Sequence, residues 1–148
     1  MKIEELTLKE IFPEYYKHGY IREDEFDYAG VEGTAEFLTY HIIFFRKKND
    51  NKTSAISISE IEDKYMIKIA NKILSYTGVE IRFRDGHEKV KSIYGKPRSI
   101  DSTSYAYGCY NYLISPELFL SFAFSFGRLM DLEIIKDKDI IANVITVR

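Results

Sequence analysis

The most regular hydrophobic pattern in the chain is a helical stripe within residues 60–76. Its four members recur every fourth residue: Ile61, Tyr65, Ile69 and Ile73. Residues at this spacing share one face of an α-helix. Ser59 and Glu62 have the spacing of a capping box at the start, and Gly78 follows as a stop. The pattern predicts a helix over 60–76 that packs its stripe on a core.

Runs of β-branched and aromatic residues predict most of the remaining structure as strands. These runs cover residues 37–45, 55–58, 79–83, 105–114, 118–126, 129–135 and 140–147. The first two flank a polar turn at 47–52 and predict a hairpin, and the last four predict an antiparallel meander closed by 140–147. Within 118–126 the large side chains alternate with small ones, which predicts one face for Phe122 and the opposite face for Ser121.

Two shorter helices complete the predicted elements. One covers 7–19 and carries a break at Pro13, because proline is tolerated only in the first turn of a helix. The other begins with Asp85 and Glu88 in capping positions and ends before Gly95. The acidic stretch 20–33 is interpreted as a loop or an irregular edge hairpin. We therefore expect one α+β domain over 1–148, with an antiparallel or mixed sheet of about five to seven strands and two to three helices packed on one face.

The second half of the chain resembles a known module. The segment Val90-Lys-Ser-Ile-Tyr-Gly-Lys-Pro97 precedes a tyrosine-rich strand and then Phe122-Ala-Phe-Ser-Phe-Gly-Arg-Leu-Met-Asp-Leu-Glu-Ile134. A short helix, a Gly-x-Pro turn and a β-meander in this order, over about residues 79–136, resemble a module of β-lactamase-inhibitor-like and outer-membrane-assembly-lipoprotein-like domains. The module is also similar to parts of small bacterial toxin-immunity proteins. The resemblance implies a non-enzymatic protein-binding role.

Composition narrows the classes of function. The sequence shows no secretory signal and no apolar run of the roughly 20 residues that cross a bilayer. Its single cysteine, Cys109, cannot form an internal disulfide, so we expect a cytoplasmic protein. The net charge of −2 divides unevenly, because residues 1–36 carry ten acidic and four basic side chains.

The residues that most often carry chemistry are scattered. His18, His41 and His87 lie far apart without a second metal ligand beside them, and Cys109 lies in a predicted strand. No phosphate-binding loop, dinucleotide fingerprint or nucleophile elbow occurs. We predict no catalytic residue, no cofactor and no metal. Nucleic acid is a less favoured partner, although one basic group could bind phosphate: Arg82, Arg84, Lys89, Lys91, Lys96 and Arg98.

The feature most suggestive of function is an acidic segment. Four carboxylates stand within five residues: Glu23, Asp24, Glu25 and Asp27. Three aromatic residues accompany them: Tyr20, Phe26 and Tyr28. Such a segment can meet a basic protein surface while the aromatics anchor it, although a solvated loop has the same pattern.

The sequence thus leads to a protein-binding domain, and within that class an immunity protein for a basic toxin such as a nuclease is preferred. The alternatives are a structural or regulatory subunit of a bacterial or phage assembly, and an enzyme of unrecognised type. The basic group around Arg82 and Arg84 is the alternative binding surface.

Overall fold

The computed structural model describes residues 3–59, 63–104 and 107–147. In these ranges one sheet has eight strands in the order β1-β2-β3-β4-β8-β7-β6-β5, and every neighbouring pair is antiparallel. The strands are β1 Arg22–Tyr28, β2 Val31–Thr39, β3 Ile42–Lys47, β4 Thr53–Ile58, β5 Ser99–Ser104, β6 Tyr107–Ser115, β7 Leu118–Ser125 and β8 Arg128–Ile135. The α+β class is confirmed, whereas the expected five to seven strands were too few.

Five α-helices accompany the sheet, and a 3₁₀ turn, Ile3–Glu5, precedes them. The helices are α1 Leu8–Ile11, α2 Pro13–Lys17, α3 Lys64–Thr77, α4 His87–Tyr94 and α5 Lys138–Val147. The predicted two to three helices were therefore too few. The break at Pro13 is confirmed, since this proline opens α2, where its missing amide costs nothing.

The helices lie on both faces of the sheet, so the expected single helical face was wrong. The first four helices pack with the larger core on one face, the helical face, where Phe44, Phe122 and Ile73 are fully buried. On the second face α5 inserts Ile140, Ile141 and Val144 against a smaller cluster. The predicted strand 140–147 is this helix. Asp137 starts it, because its Oδ1 accepts from the amides of Asp139 (2.9 Å) and Ile140 (3.2 Å).

The helix predicted over 60–76 is present, although its start differs. Asp63 caps α3 by accepting from the amides of Tyr65 (2.8 Å) and Met66 (3.1 Å), and Gly78 ends it at φ +74°. The predicted capping box and Ile61 cannot be compared, because residues 60–62 lie outside the described ranges. Ile69 and Ile73 are buried as expected, whereas Tyr65 is 58% exposed and was wrongly placed in the core stripe.

The N-terminal half of the sheet differs most from the sequence reading. The stretch 20–33, interpreted as a loop or an irregular edge hairpin, belongs to the β1–β2 hairpin at the sheet edge. The predicted strand 37–45 is divided by a turn between β2 and β3. Gly33 lies inside β2 rather than in a loop. A side chain would not fit at this position, because a Cβ would stand 1.8 Å from the carbonyl oxygen of Arg46. The polar edge strand β5 was missed, since its sequence has no apolar alternation.

The predicted strand 79–83 is a loop in which backbone amides donate hydrogen bonds to side-chain oxygens. The Phe83 amide donates to Asn71 Oδ1 (2.9 Å) and the Arg82 amide to Asp85 Oδ2 (2.8 Å). Asp85 therefore caps this loop and not α4, whose N-cap is Gly86 without a side-chain bond. The apolar side chains of the segment, Ile81 among them, are nonetheless buried.

Candidate functional site

The acidic segment forms β1, an edge strand of the sheet. Residues 22–27 are all exposed, and β1 pairs on one side only, with β2. Glu23 lies opposite Glu36 and Asp27 opposite Glu32. The backbone amides and carbonyls along the other side of β1 are thus open to solvent or to another chain.

Strand alternation divides the acidic segment between two faces. Phe26 and Tyr28 point to the second face, where the Phe26 ring lies 6.0 Å from Phe37 and 6.1 Å from Phe45. Tyr28 packs on Phe45 at 5.5 Å and donates its hydroxyl to Glu133. By alternation Asp24 shares this face, and the other three acids point to the helical face. The two aromatics are therefore held in place by the sheet.

Glu23 is occupied by an internal network. Its carboxylate accepts from Lys9 of α1 and from Arg46 of β3, the latter at 2.9 Å. Arg46 also contacts Glu36 Oε2 at 3.3 Å, and that oxygen accepts from the Leu8 amide at 2.8 Å. The hydrogen bond from Lys9 is the main cause that lowers the pKa of Glu23, and the same bond raises the pKa of Lys9. Glu23 thus fixes α1 to the sheet edge.

The other three acids of β1 remain available. Asp24 and Glu25 have no hydrogen-bond or ion-pair partner within residues 3–59, 63–104 and 107–147. Among the described residues, Asp27 accepts only from the Gly30 amide (3.1 Å), a bond internal to the hairpin turn. We call Asp24, Glu25 and Asp27 together with the open backbone of β1 the acidic edge.

Tyr20 does not join the other two aromatics. Its ring lies 6.1 Å from Tyr15 and borders a groove of about 360 Å³ on the helical face, which Tyr65 and Met66 also line. The structure thus brings Phe26 and Tyr28 beside the acidic residues and places Tyr20 elsewhere.

The basic group predicted around residues 82–98 is reorganised by the tertiary structure. Arg82 turns inward and donates to the carbonyls of Val79 and Ile81, both at 2.9 Å. Lys89 pairs with Asp85 at 2.9 Å. Arg84 instead meets the β7–β8 turn, where its amide donates to the Leu129 carbonyl (3.0 Å).

A polar cleft of about 260 Å³ opens on the second face beyond α5. Three carboxylates line it: Asp101, Asp131 and Glu133. Beside them Cys109 Sγ lies 3.0 Å from Ser121 Oγ, and Ser121 donates to Asn111 Oδ1 (2.8 Å). None of its described lining residues is a histidine, lysine or arginine.

The histidines are dispersed in the structure as in the sequence. His18 lies 3.8 Å from Glu14 at the end of α2, and His87 packs its ring on Tyr110 and Phe124. His41 lies in the turn between β2 and β3. In the part of the chain that the structure describes, no cluster of His, Cys, Asp and Glu has the arrangement of a metal site.

Comparison of the chain with family models, with curated proteins and with solved structures found no match. Across the described ranges, none of the helices combines the length and the apolar composition that a bilayer crossing needs.

Proposed function

We propose that the chain is a non-enzymatic protein-binding domain whose acidic edge docks a basic segment of a protein partner. The observation that carries this proposal is the coincidence of two features on β1. The seven-residue strand pairs on one side only, which leaves its outward-facing backbone groups open at the sheet edge, and three exposed carboxylates on it have no ion pair among the described residues. Exposed strand edges are sites at which partner strands add to a sheet.

The charges select which chain can pair there. A second copy of β1 would bring acidic side chains opposite acidic side chains, which destabilises cross-strand pairing. A strand rich in lysine or arginine would place opposite charges together on both faces, because Asp24 and Glu25 point in opposite directions. The acidic edge thus disfavours self-association and favours a basic partner.

The edge is also organised before binding. Glu23 ties β1 to Lys9 and Arg46, while Phe26 and Tyr28 pack on the sheet. Little conformational entropy is then lost when a partner strand docks, and this increases affinity. Within this class we propose an immunity protein, whose acidic edge covers the basic active site of a toxin such as a nuclease.

Surface-plasmon kinetics on a co-encoded basic protein tests the proposal. The variant D24N/E25Q/D27N neutralises the acidic edge and keeps the side-chain acceptor of the Asp27 turn. We expect association to slow at least about tenfold at low salt, and the difference to shrink at high salt, because complementary charge acts mainly on the association rate.

The matched control is E80Q/E88Q/E117Q, which removes the same charge from exposed positions outside β1. It should retain the wild-type association rate to within about twofold. If the two triple variants bind at equal rates in both buffers, the acidic edge does not recognise the partner.

A further inference from the structure

A second surface, at the turn between the inner strands β7 and β8, carries the reverse charge. The loop 79–86 docks on the β7–β8 turn through three backbone bonds: Arg84 N to Leu129 O (3.0 Å), Leu129 N to Asp85 O (2.9 Å) and His87 N to Gly127 O (3.1 Å). This docking brings together residues that are far apart in sequence. We call Arg84, His87, Lys91, Phe126 and Arg128 the turn patch.

Contacts link the turn patch into one surface. The Arg128 guanidinium lies over Gly86, 3.7 Å from where a Cβ would stand. His87 packs on Tyr110 with its ring centre at 6.3 Å, and Lys91 lies over the same Tyr110 ring at 5.3 Å. His87 and Lys91 are four residues apart on α4 and so share a helix face.

The patch is basic and exposed. Arg84, Lys91 and Arg128 are all exposed. The Arg84 guanidinium is already engaged, because its Nη1 donates to Met130 Sδ at 2.7 Å, whereas Arg128 and Lys91 have no ion pair with any described residue. Of the nearby acids, Asp85 is already paired with Lys89, and Glu88 follows His87 on α4. Cationic side chains therefore predominate.

Two residues of the patch are held in a conformation that side chains avoid. Arg84 has φ +81° and Phe126 has φ +50°, although neither is glycine. The Phe126 ring is also 78% exposed, so burial in the core does not account for its presence at the turn. Backbone strain of this kind costs about 1–3 kcal/mol per residue and concentrates at functional sites.

We propose that the turn patch binds a single-stranded polynucleotide. Guanidinium and ammonium groups hold phosphate through charge-assisted hydrogen bonds, and an exposed aromatic ring stacks on an unpaired base. Arg128 and Lys91 supply the phosphate contacts, and Phe126 supplies the ring. An acidic peptide would satisfy the cations but would leave the exposed ring without a partner.

The two charged surfaces act independently. Four interstrand spacings of about 4.8 Å place β1 roughly 19 Å from β8. This exceeds the screening length of about 8 Å at physiological ionic strength, so the acidic edge does not cancel the field of the turn patch. Neutralising the acidic edge should accordingly leave polynucleotide binding unchanged.

Fluorescence anisotropy with a labelled oligouridylate of about 12 nucleotides, its thymidylate counterpart and a duplex RNA tests the proposal on the full chain. We expect either single strand to bind more tightly than the duplex. K91Q/R128Q should weaken binding at least about tenfold at low salt and lower the slope of log K against log salt by about 1.4, at roughly 0.7 per lost phosphate contact.

F126G separates stacking from charge. Glycine adopts the positive φ without strain, so the fold is retained while the ring is removed. Binding should weaken at least about fivefold, and this loss should persist at high salt because stacking is not screened. K64Q/K68Q, with the same charge change on α3, should bind as the wild type does.

Three outcomes would overturn the proposal. They are absence of single-strand binding by the wild type, equal losses in K91Q/R128Q and K64Q/K68Q, and displacement of the oligonucleotide by polyglutamate with no effect of F126G. The last result would assign the patch to an acidic protein segment instead.

Discussion

Arg46 contacts the carboxylates of Glu23 and Glu36 next to α1. Replacing Arg46 by an uncharged residue should destabilise the protein more than replacing the buried Glu36 by glutamine. Arg46 is 8% exposed and Glu36 1% exposed. Arg46→Met leaves the Glu36 carboxylate buried with the Leu8 amide, and with Lys9 only at 3.9 Å. Breaking a buried ion pair by removing one partner costs about 3–5 kcal/mol, and we expect Arg46→Met to fall in this range.

Glu36→Gln is milder for a structural reason. The amide oxygen can still accept from the Leu8 amide, and Arg46 retains its contact with Glu23 at 2.9 Å. What Glu36→Gln loses is the charge-assisted contact between Arg46 and the Glu36 carboxylate, and such a loss costs about 1.5–3 kcal/mol. In the double variant no buried charge is left unpaired, so its cost should fall below the sum of the single losses by at least about 1 kcal/mol.

Urea unfolding followed by circular dichroism measures these free energies, provided that the m-values of the variants agree. Arg22→Met, at an exposed position of β1, is the control and should change stability by less than about 0.5 kcal/mol. If the two single losses add within about 0.5 kcal/mol, Arg46 and Glu36 do not interact and the network does not hold α1.

Two further predictions concern the second face and acid stability. Phe122→Asp should abolish folding, because it would bury a charge. Ser121→Asp should also destabilise the protein, by about 1–3 kcal/mol in urea melts, because Ser121 is 5% exposed and donates a hydrogen bond to Asn111. A change below about 0.5 kcal/mol would place Ser121 on a solvent-exposed face. The lowered pKa of Glu23, caused chiefly by the Lys9 hydrogen bond, stabilises the fold above the ordinary value of 4.5, and this contribution is lost as the pH falls through the lowered pKa. Between about pH 5 and 3 the melting temperature of Glu23→Gln should therefore fall less than that of the wild type. Equal decreases in the two melting temperatures would show that ionised Glu23 does not contribute to stability.

Elements with a strong local signal were predictable. Ile69 and Ile73 predicted α3, and the alternation around Phe122 predicted β7 together with the tight turn to β8. The acidic segment and its aromatics were also visible in the sequence, because clustering of charge is a property of the chain itself. Whether that cluster was a loop or a strand was left open.

Tertiary structure decided the elements whose local signal was ambiguous. Ile140, Ile141 and Val144 favour a strand by propensity, yet at this spacing they form a helical stripe that the second face of the sheet covers. Conversely, Ile81 lies in an alternating run that predicts a strand. The next two backbone amides of this run donate to side chains of α3 and of the loop instead of to a neighbouring strand. Propensity is a weak prior in both cases, because burial against the rest of the fold outweighs it.

The sequence by itself determined the composition of the acidic edge and the existence of an α+β core. Only the tertiary structure decided that Glu23 is used internally, that Tyr20 lies apart from Phe26, and that the Arg84 amide donates to the Leu129 carbonyl across more than forty residues of chain. The physical reason is the same in each case. A local pattern fixes which face a side chain takes, whereas its partners depend on strand order and loop docking, which arise from contacts distant in sequence.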